Sequence, residues 1–281
     1  MRQYLEVLEE ILKSGVDRPN RTGVPSRALF VRPLRFDLSM GQFPAITTKR
    51  LAFNQVKAEL LWFIKGSRDV KELQALGCHI WDENANAPYW KPKATFEGDV
   101  GRVYGVQWRD WKRPVMDGED VILKSHDQLA DLITRIKKDP TDRRLIVTAW
   151  NPGELEQMAL PPCHMFFQCF VANDTLSLCM YQRSCDMFLG VPFNVASYAL
   201  LTRMLAQVCG LKPGELVLIL GDAHIYHNHF NQVEEQLQRE PYSLPNIWLN
   251  SEIKDIDAFT MDDIRLENYQ HHPAIKAPMA V

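Results

Sequence analysis

Apolar residues recur every three or four positions in several parts of the chain, which is the spacing of one face of an α-helix. This pattern predicts a first helix that ends at Gly15, a second that ends at Gly66, and another that stops at Pro140. A shorter helix is expected over 70–76. The run 193–208 is long, apolar and free of Gly and Pro, so it predicts a buried helix.

Other segments alternate between apolar and polar residues or are short apolar runs, and both patterns favour β-strands. The predicted strands are 29–31, 34–38, 144–150, 165–171, 176–182 and a buried strand at 216–220. Residues 84–101 have no clear period and are expected to form a surface excursion. Because no linker, repeat or low-complexity tract separates these elements, the sequence predicts a single α+β domain over 1–281.

Composition narrows the class of protein. The chain has 281 residues, 46% of them hydrophobic and 24% charged, which excludes a wholly disordered or collagen-like chain. A formal net charge of −3 argues against broad electrostatic binding of nucleic acid, but not against a local phosphate site. The first residues lack a signal-peptide core, and no window approaches the roughly 18 apolar residues of a membrane helix. We therefore expect a soluble, cytoplasmic protein with no membrane partner.

Cys163 is the first candidate for chemistry. The six cysteines show no C-x-x-C or zinc-finger spacing, so we expect free thiols in a reducing cytosol. Pro161 and Pro162 restrict the chain before Cys163 and hold it at the start of a predicted strand, where its side chain can face a cleft. A thiolate is a strong nucleophile when nearby positive charge or a base lowers its pKa. The alternative is a buried structural cysteine beside a loop histidine, His164.

Arginines outside helical surface patterns are the second set of candidates. They are Arg21, Arg143, Arg144 and Arg183, and the hydroxyl of Ser184 adjoins the last. A planar guanidinium group suits phosphate, and the chain has no glycine-rich phosphate loop, so a nucleotide would have to be bound by side chains. If Arg143 and Arg144 lie on a strand, they point to opposite faces. For any single arginine, an ordinary surface salt bridge is the alternative.

Segment 221–229 holds three histidines directly after the predicted strand 216–220. Proteins of the α/β type place ligand groups at strand ends, which makes this segment a candidate site. The histidines could hold a metal ion, but no carboxylate or cysteine lies at a familiar ligand spacing. Hydrogen bonds to a small polar ligand are therefore favoured.

Glu59 lies within an apolar stretch of a predicted helix. If it is buried beside a pocket, its pKa should rise and suit proton transfer, whereas on the solvent face it would have no such role. Asn194 stands at the start of the helix predicted over 193–208, and that position by itself favours a helix N-cap.

Short motifs that contain these candidates occur in one order along nearly the whole chain. They are Arg21-Thr22-Gly23, Phe43-Pro44 with Thr47-Thr48-Lys49, Ile80-Trp81-Asp82, Val103-Tyr104-Gly105, Pro161-Pro162-Cys163-His164, 181–186, 189–194, 221–226 and the terminal 275–278. In this order they resemble the thymidylate synthase family. The resemblance implies a large mixed β-sheet flanked by helices, a homodimer formed through that sheet, and a surface excursion at about 84–98 that varies between relatives.

The resemblance also implies an activity. This is the reductive methylation of dUMP to dTMP, with 5,10-methylenetetrahydrofolate as the donor of both carbon and hydride, dihydrofolate as the second product, and no metal. On this resemblance Cys163 is the nucleophile that adds to C6 of the pyrimidine. The other implied catalytic residues are Glu59, Tyr104, His164 and Arg183.

Binding residues are implied in the same way. The implied nucleotide ligands are Arg21, Arg143, Arg144, Gln182, Arg183, Ser184, Asp186, Asn194, His224 and Tyr226. The arginines and Ser184 would bind phosphate, His224 and Tyr226 the ribose 3′-hydroxyl, and Asn194 the pyrimidine edge. The implied folate contacts are Lys49 at the glutamate tail, Asp186 at the pterin, the apolar wall of Ile80, Trp81, Leu189, Gly190 and Phe193, and Val281 in a closing C-terminal segment.

Arg143 and Arg144 match arginines that reach the partner subunit's active site, so the resemblance implies shared sites. Two other functions stay open. A nucleotide hydroxymethylase of the same superfamily would quench the intermediate with water; Asn194 disfavours a cytosine-specific version, but a dUMP hydroxymethylase is not excluded. The other alternative is an RNA-binding regulator, for which the composition offers no basic stripe.

Overall fold

The computed structural model describes residues 1–20 and 23–278. Its α-helices are α1 (Arg2–Ser14), α2 (Phe53–Lys65), α3 (Val70–Ala75), α4 (Asp82–Ala85), α5 (Tyr104–Arg109), α6 (Gln128–Lys138), α7 (Gly190–Val208) and α8 (Phe230–Leu237). Its strands are β1 (Val16–Arg18), β2 (Ser26–Asp37), β3 (Trp111–Asp117), β4 (Asp120–His126), β5 (Ile146–Thr148), β6 (His164–Ala172), β7 (Thr175–Asp186), β8 (Lys212–Tyr226), β9 (Asn246–Leu249) and β10 (Ile264–Glu267). Short 3₁₀ helices cover Pro152–Gln157, His227–His229, Ile256–Ala258 and Met261–Asp263.

Six strands form one mixed sheet in the order β1-β2-β8-β7-β6-β5. Strands β7 and β8 run parallel, and the other neighbouring pairs run antiparallel. Two separate two-stranded sheets join β3 to β4 and β9 to β10. Helices α1 and α7 pack against the large sheet, while α2 packs on α7 and α5 packs on α2. The predicted α+β class and the single domain with a large mixed sheet are confirmed.

Helix α7 forms the centre of the core. It begins at Gly190, three residues before the predicted start, and 14 of its 19 residues are buried. Its N-cap residue is Leu189, so Asn194 lies inside the helix. The N-cap interpretation of Asn194 is therefore wrong, and its amide is available for another contact.

Several strands differ in length from their predictions. Strand β8 runs from Lys212 to Tyr226 and not only over 216–220. Because residues 222–226 pair with β2 beyond the apolar run, Asp222, His224 and Tyr226 lie on the strand, not in a segment after it. The alternation of these three side chains then places them on one face of β8.

Strand β5 covers only Ile146–Thr148 and is shorter than the predicted 144–150. Arg143 and Arg144 lie in the turn before it. The strand argument that would send their side chains to opposite faces therefore does not apply.

Residues 84–98 are anchored to the core near their middle. The Trp90 side chain is 3% exposed, and its indole N–H donates to the carbonyl oxygen of Asp99 at 2.7 Å. The Asp99 carboxylate accepts hydrogen bonds from the backbone N–H groups of Thr95 and Gly101. The segment carries its own buried contacts and does not lie wholly on the surface.

One face of the large sheet exposes apolar side chains. Along β6, Phe167 and Cys169 are buried, whereas Phe166 is 38% exposed and Phe170 66% exposed. Phe166 stacks on Tyr181 of the neighbouring strand with ring centroids 6.0 Å apart. Contiguous exposed apolar area on a folded protein is typical of an interaction surface.

Candidate active site

Cys163 lies in a cavity of about 220 Å³ formed by the loop before β6 together with β1, β2, β7 and β8. The cavity is lined by Arg18, Pro19, Asn20, Ser26, Leu160, Cys163, Arg183, Ser184, Asp222, His224 and Tyr226. Five of these were candidates from the sequence: Cys163, Arg183, Ser184, His224 and Tyr226. Arg18, Ser26 and Asp222 were not found by sequence reasoning, because strand pairing alone brings them to Cys163.

Arg183 fixes the chain on which Cys163 stands. Its guanidinium Nε donates to the carbonyl oxygen of Pro162 at 2.9 Å, and Nη2 donates to that of Pro161 at 3.0 Å. Its backbone N–H donates to the carbonyl oxygen of Cys163 at 2.8 Å. Arg183 therefore rigidifies the two-proline approach and brings a positive charge into the cavity.

Tyr104 and His164 support Cys163 from the core. The backbone N–H of Cys163 donates to Tyr104 Oη at 2.8 Å, and the Tyr104 ring stacks on His164 with centroids 4.0 Å apart. His164 Nδ1 lies 2.9 Å from Tyr198 Oη on α7. Burial lowers the pKa of His164 to about 3, so the imidazole is neutral at physiological pH. These rings hold the backbone of Cys163 and bring no charge to it.

Glu59 is buried in α2, as expected for a proton-transfer role. Burial raises the pKa of its carboxyl group to about 7, although a hydrogen bond from Trp81 lowers it in part. The indole Nε1 of Trp81 donates to Glu59 Oε1 at 2.7 Å, and the Trp81 and Tyr104 rings lie 5.9 Å apart. The solvent-face interpretation of Glu59 is excluded.

Gln182 orients the amide of Asn194. Gln182 Nε2 donates to Asn194 Oδ1 at 3.1 Å and to the carbonyl oxygen of Ser184 at 3.0 Å. Gln182 is 2% exposed, and its own Oε1 has no hydrogen-bond partner among the residues that the structure describes. A buried amide in this position holds the Asn194 side chain in one orientation.

Asp186 shapes the turn into α7, and Lys49 stabilises the same turn. Asp186 Oδ1 accepts from the backbone N–H groups of Phe188 at 2.9 Å and Leu189 at 3.1 Å. The Lys49 ammonium group donates to the carbonyl oxygen of Phe188 and lies 3.5 Å from the centroid of its ring. Burial lowers the pKa of Lys49 to about 7. Lys49, expected at a glutamate tail, points into the protein here.

A comparison with known families identifies the family of this chain. A sequence model described as Thymidylate synthase matches residues 2–281, almost the whole chain. The chain belongs to the thymidylate synthase family. Thymidylate synthases are methyltransferases of dTMP biosynthesis, and methylenetetrahydrofolate is their co-substrate.

Arg143 and Arg144, which the family resemblance places at the partner's site, make few contacts with their own subunit among the described residues. The Arg144 side chain is 85% exposed, and its Nε donates to Oδ1 of the neighbouring Asp142 at 3.2 Å. The carbonyl oxygen of Arg143 accepts a 3.4 Å hydrogen bond from Gln168, which lies on β6 between the exposed Phe166 and Phe170. Both arginines therefore border the exposed apolar face. Arg21 and Val281 lie outside the described residues.

The three histidines that suggested a metal have separate partners. His224 Nδ1 faces Asp222, His227 Nε2 lies 2.9 Å from Asp17 Oδ1, and His229 Nε2 donates to the carbonyl oxygen of Pro278 at 2.7 Å. Within 1–20 and 23–278, no group of three or more His, Cys, Asp or Glu side chains is arranged to hold a metal ion. Over the same residues, no helix is both long and apolar enough to cross a membrane.

Proposed function

We propose that this member of the thymidylate synthase family converts dUMP to dTMP by reductive methylation with 5,10-methylenetetrahydrofolate and releases dihydrofolate. The observation that carries the proposal is the Cys163 cavity, which joins a thiol, a guanidinium group, a hydroxyl group and two ring side chains suited to a nucleotide. In this assignment Arg183 and Ser184 bind the phosphate with Arg21, and His224 and Tyr226 bind the ribose.

Cys163 acts as the nucleophile in the proposed reaction. Its Sγ adds to C6 of the uracil ring, which is electrophilic because it is conjugated with the C4 carbonyl group, and C5 thereby becomes nucleophilic. A guanidinium group beside a cysteine favours the thiolate form that this addition needs, and Arg183 supplies one. When bound, the folate supplies the one-carbon unit and the hydride.

In the proposed reaction Glu59 transfers a proton and Asn194 recognises the base. A carboxyl group whose pKa is about 7 can both hold and release a proton at physiological pH, which is what a relay requires. Asn194, held by Gln182, reads the uracil edge: its amide can accept from N3–H and donate to O4. The neutral rings of Tyr104 and His164 keep the Cys163 backbone in place.

The start of α7 suits the flat ring of a folate. Ile80, Leu189 and Phe193 are only half-buried, so part of their apolar surface is accessible. A Cβ atom at Gly190 would meet only ordinary contacts, 3.7 Å from Asn194 and from Asp186. Neither packing nor backbone strain requires a glycine there, whereas the close approach of a flat ligand does. We assign this wall, with Trp81 behind it and Asp186 beside it, to the pterin.

A homodimer completes the proposed site. The exposed apolar face with Phe166, Phe170 and Ile146 is the surface that a second copy would cover. Arg143 and Arg144 border this face and would extend into the partner's cavity, where they add positive charge for the phosphate. We further propose a reducing cytoplasm as the compartment, because no disulfide joins the cysteines among the residues that the structure describes.

Release of the C5 hydrogen tests the proposal. With dUMP tritiated at C5 and methylenetetrahydrofolate, tritium should appear in water at the rate of turnover, and only in protein that keeps Cys163. Turnover that retains the label on the nucleotide would contradict substitution at C5. No release under any condition would contradict the proposed activity as a whole.

A further inference from the structure

Arg18, Asp222 and His224 form a continuous chain of charged contacts inside the Cys163 cavity. Arg18 Nη1 donates to Asp222 Oδ2 at 2.8 Å, and His224 Nδ1 lies 3.2 Å from Asp222 Oδ1. Arg18 ends the edge strand β1, while Asp222 and His224 stand on β8. All three line the cavity with Cys163, yet sequence reasoning assigned no role to Arg18 or Asp222.

Asp222 determines which nitrogen of His224 carries the hydrogen. Nδ1 faces two acceptors, the carboxylate of Asp222 at 3.2 Å and its backbone carbonyl oxygen at 3.1 Å. Neither can donate, so Nδ1 bears the hydrogen, and in the neutral ring Nε2 is an acceptor. The ring is therefore set to receive a hydrogen bond from a ligand hydroxyl group.

The same contact affects the charge of His224. Burial alone would lower its pKa, but the hydrogen bond that Nδ1 donates to Asp222 and the negative charges of Asp186 and Asp222 outweigh that effect, so the pKa of His224 lies above its usual value. In return, His224 and then Arg18 hold the pKa of Asp222 below its usual value. The Asp222 carboxylate thus accepts from the guanidinium group of Arg18 on one side and from the Nδ1–H of His224 on the other.

Arg18 has more donors to offer than Arg183. Two guanidinium nitrogens of Arg183 are engaged by the carbonyl oxygens of Pro161 and Pro162. Arg18 uses Nη1 for Asp222, and its side chain is 59% exposed at the cavity. A planar guanidinium group can hold a carboxylate with one nitrogen and a phosphate oxygen with the others.

We propose that Arg18 is a further phosphate ligand for the nucleotide and that Asp222 is a positioning residue, which holds Arg18 in the cavity and sets the His224 tautomer for the ribose 3′-hydroxyl. This inference rests on the proposed function, because it takes a deoxynucleoside monophosphate as the ligand. The inference adds the guanidinium group of Arg18, on edge strand β1 of the same subunit, to the groups proposed to bind the phosphate.

Binding measurements with two ligands test the role of Arg18. Calorimetry gives the Kd of dUMP, and competition gives the Ki of inorganic phosphate, for the wild-type protein and for Arg18→Gln. We expect both constants to rise by a similar factor, roughly tenfold at low salt and less at high salt, as the loss of one charged hydrogen-bond donor predicts. The kcat at saturating dUMP should change little, and Arg18→Lys should restore part of the affinity.

Arg32→Gln is the matched control, since Arg32 pairs with Glu10 outside the cavity and its loss should leave both constants unchanged. If Arg18→Gln leaves both constants within about twofold of wild type while the wild-type protein binds dUMP, Arg18 is only a surface ion pair and the inference is overturned. Failure of the wild-type protein to bind dUMP would instead overturn the proposed function, and the inference with it.

The positioning role of Asp222 is tested with Asp222→Asn and a 3′-deoxy analogue of dUMP. The wild-type protein should prefer dUMP, because Nε2 of His224 accepts from the 3′-hydroxyl. An amide at position 222 can donate to Nδ1 and competes there with the backbone carbonyl oxygen that remains, so the hydrogen shifts in part to Nε2 and the preference should fall several-fold, up to roughly tenfold. A variant that loses stability but keeps the full preference for dUMP would contradict the positioning role.

Discussion

The indole Nε1 of Trp81 donates a 2.7 Å hydrogen bond to Oε1 of Glu59, and both side chains are almost fully buried. Desolvation nevertheless dominates, and the pKa of Glu59 rises to about 7. The carboxyl group therefore titrates near neutral pH while Trp81 holds it in place. In the proposed reaction this is the group that holds or releases a proton.

The raised pKa of Glu59 predicts a pH-dependent stability. The folded chain binds this proton more tightly than the unfolded chain, so the contribution is fully present below the ordinary value of 4.5 and is lost as pH rises through about 7. Above that pH the ionised carboxylate costs about 3 kcal/mol that Glu59→Gln avoids. We expect the variant to gain stability over wild type between about pH 4.5 and pH 8, as measured by urea unfolding, while its turnover falls. A stability difference that does not change with pH would contradict the assignment.

Cys163→Ser tests the nucleophile. We expect kcat to fall by on the order of 10³-fold or more, with the Kd of dUMP nearly unchanged, because the affinity comes from the arginines and the backbone contacts of residue 163 survive. Cys209→Ser, at a half-buried cysteine that ends α7, is the control and should remain active. If dUMP protected Cys169 or Cys185 from thiol labelling in place of Cys163, the assignment would fail.

A mixing experiment tests the shared site. Arg144→Ala and Cys163→Ser should each be inactive alone. A mixed dimer keeps one site that has its own Cys163 and the partner's Arg144, so an equal mixture should recover about a quarter of the wild-type activity. Absence of recovery, with subunit exchange demonstrated by labelled chains, would place both residues in one chain's site.

Asn194→Asp tests the choice of base. Cytosine presents an amino donor and an unprotonated N3, the reverse of uracil, and Gln182 holds the Asn194 amide in one orientation. Leaving two buried groups unpaired costs about 1–3 kcal/mol each, or roughly a hundredfold in discrimination. The variant should lower kcat/KM for dUMP and raise the relative value for dCMP. An unchanged ratio would mean that the base is read elsewhere, since Asn194 is not a helix cap.

The periodicity of apolar residues predicted the elements that form because their apolar side chains are buried. The apolar run around Leu200 and Leu201 predicted a buried helix, and α7 is one, because apolar side chains leave water wherever the chain allows it. Motif order placed Cys163, Arg183, Ser184, His224 and Tyr226 in one set, and the structure brings these five into one cavity. Their individual roles stay predictions.

Contacts between segments that are far apart in the sequence could not be predicted from the sequence. Arg18 and Asp222 are 204 residues apart and meet only because β2 pairs with both β1 and β8. Only the resemblance gave Lys49 a position, at the glutamate tail of the folate, and nothing predicted its burial. An exposed ammonium group is strongly hydrated. A carbonyl oxygen and the ring of Phe188 replace that hydration inside the protein, which no local pattern reveals.

The mass of the nucleotide product tests the central claim most directly. Wild-type protein is incubated with dUMP and 5,10-methylenetetrahydrofolate, with Cys163→Ser as the control, and the nucleotides are identified by mass spectrometry. The account predicts that dUMP gains a methyl group to become dTMP, with one dihydrofolate formed per dTMP, and that the control yields unchanged dUMP. A product heavier than dTMP by one oxygen atom would show hydroxymethylation and would contradict the proposed hydride transfer.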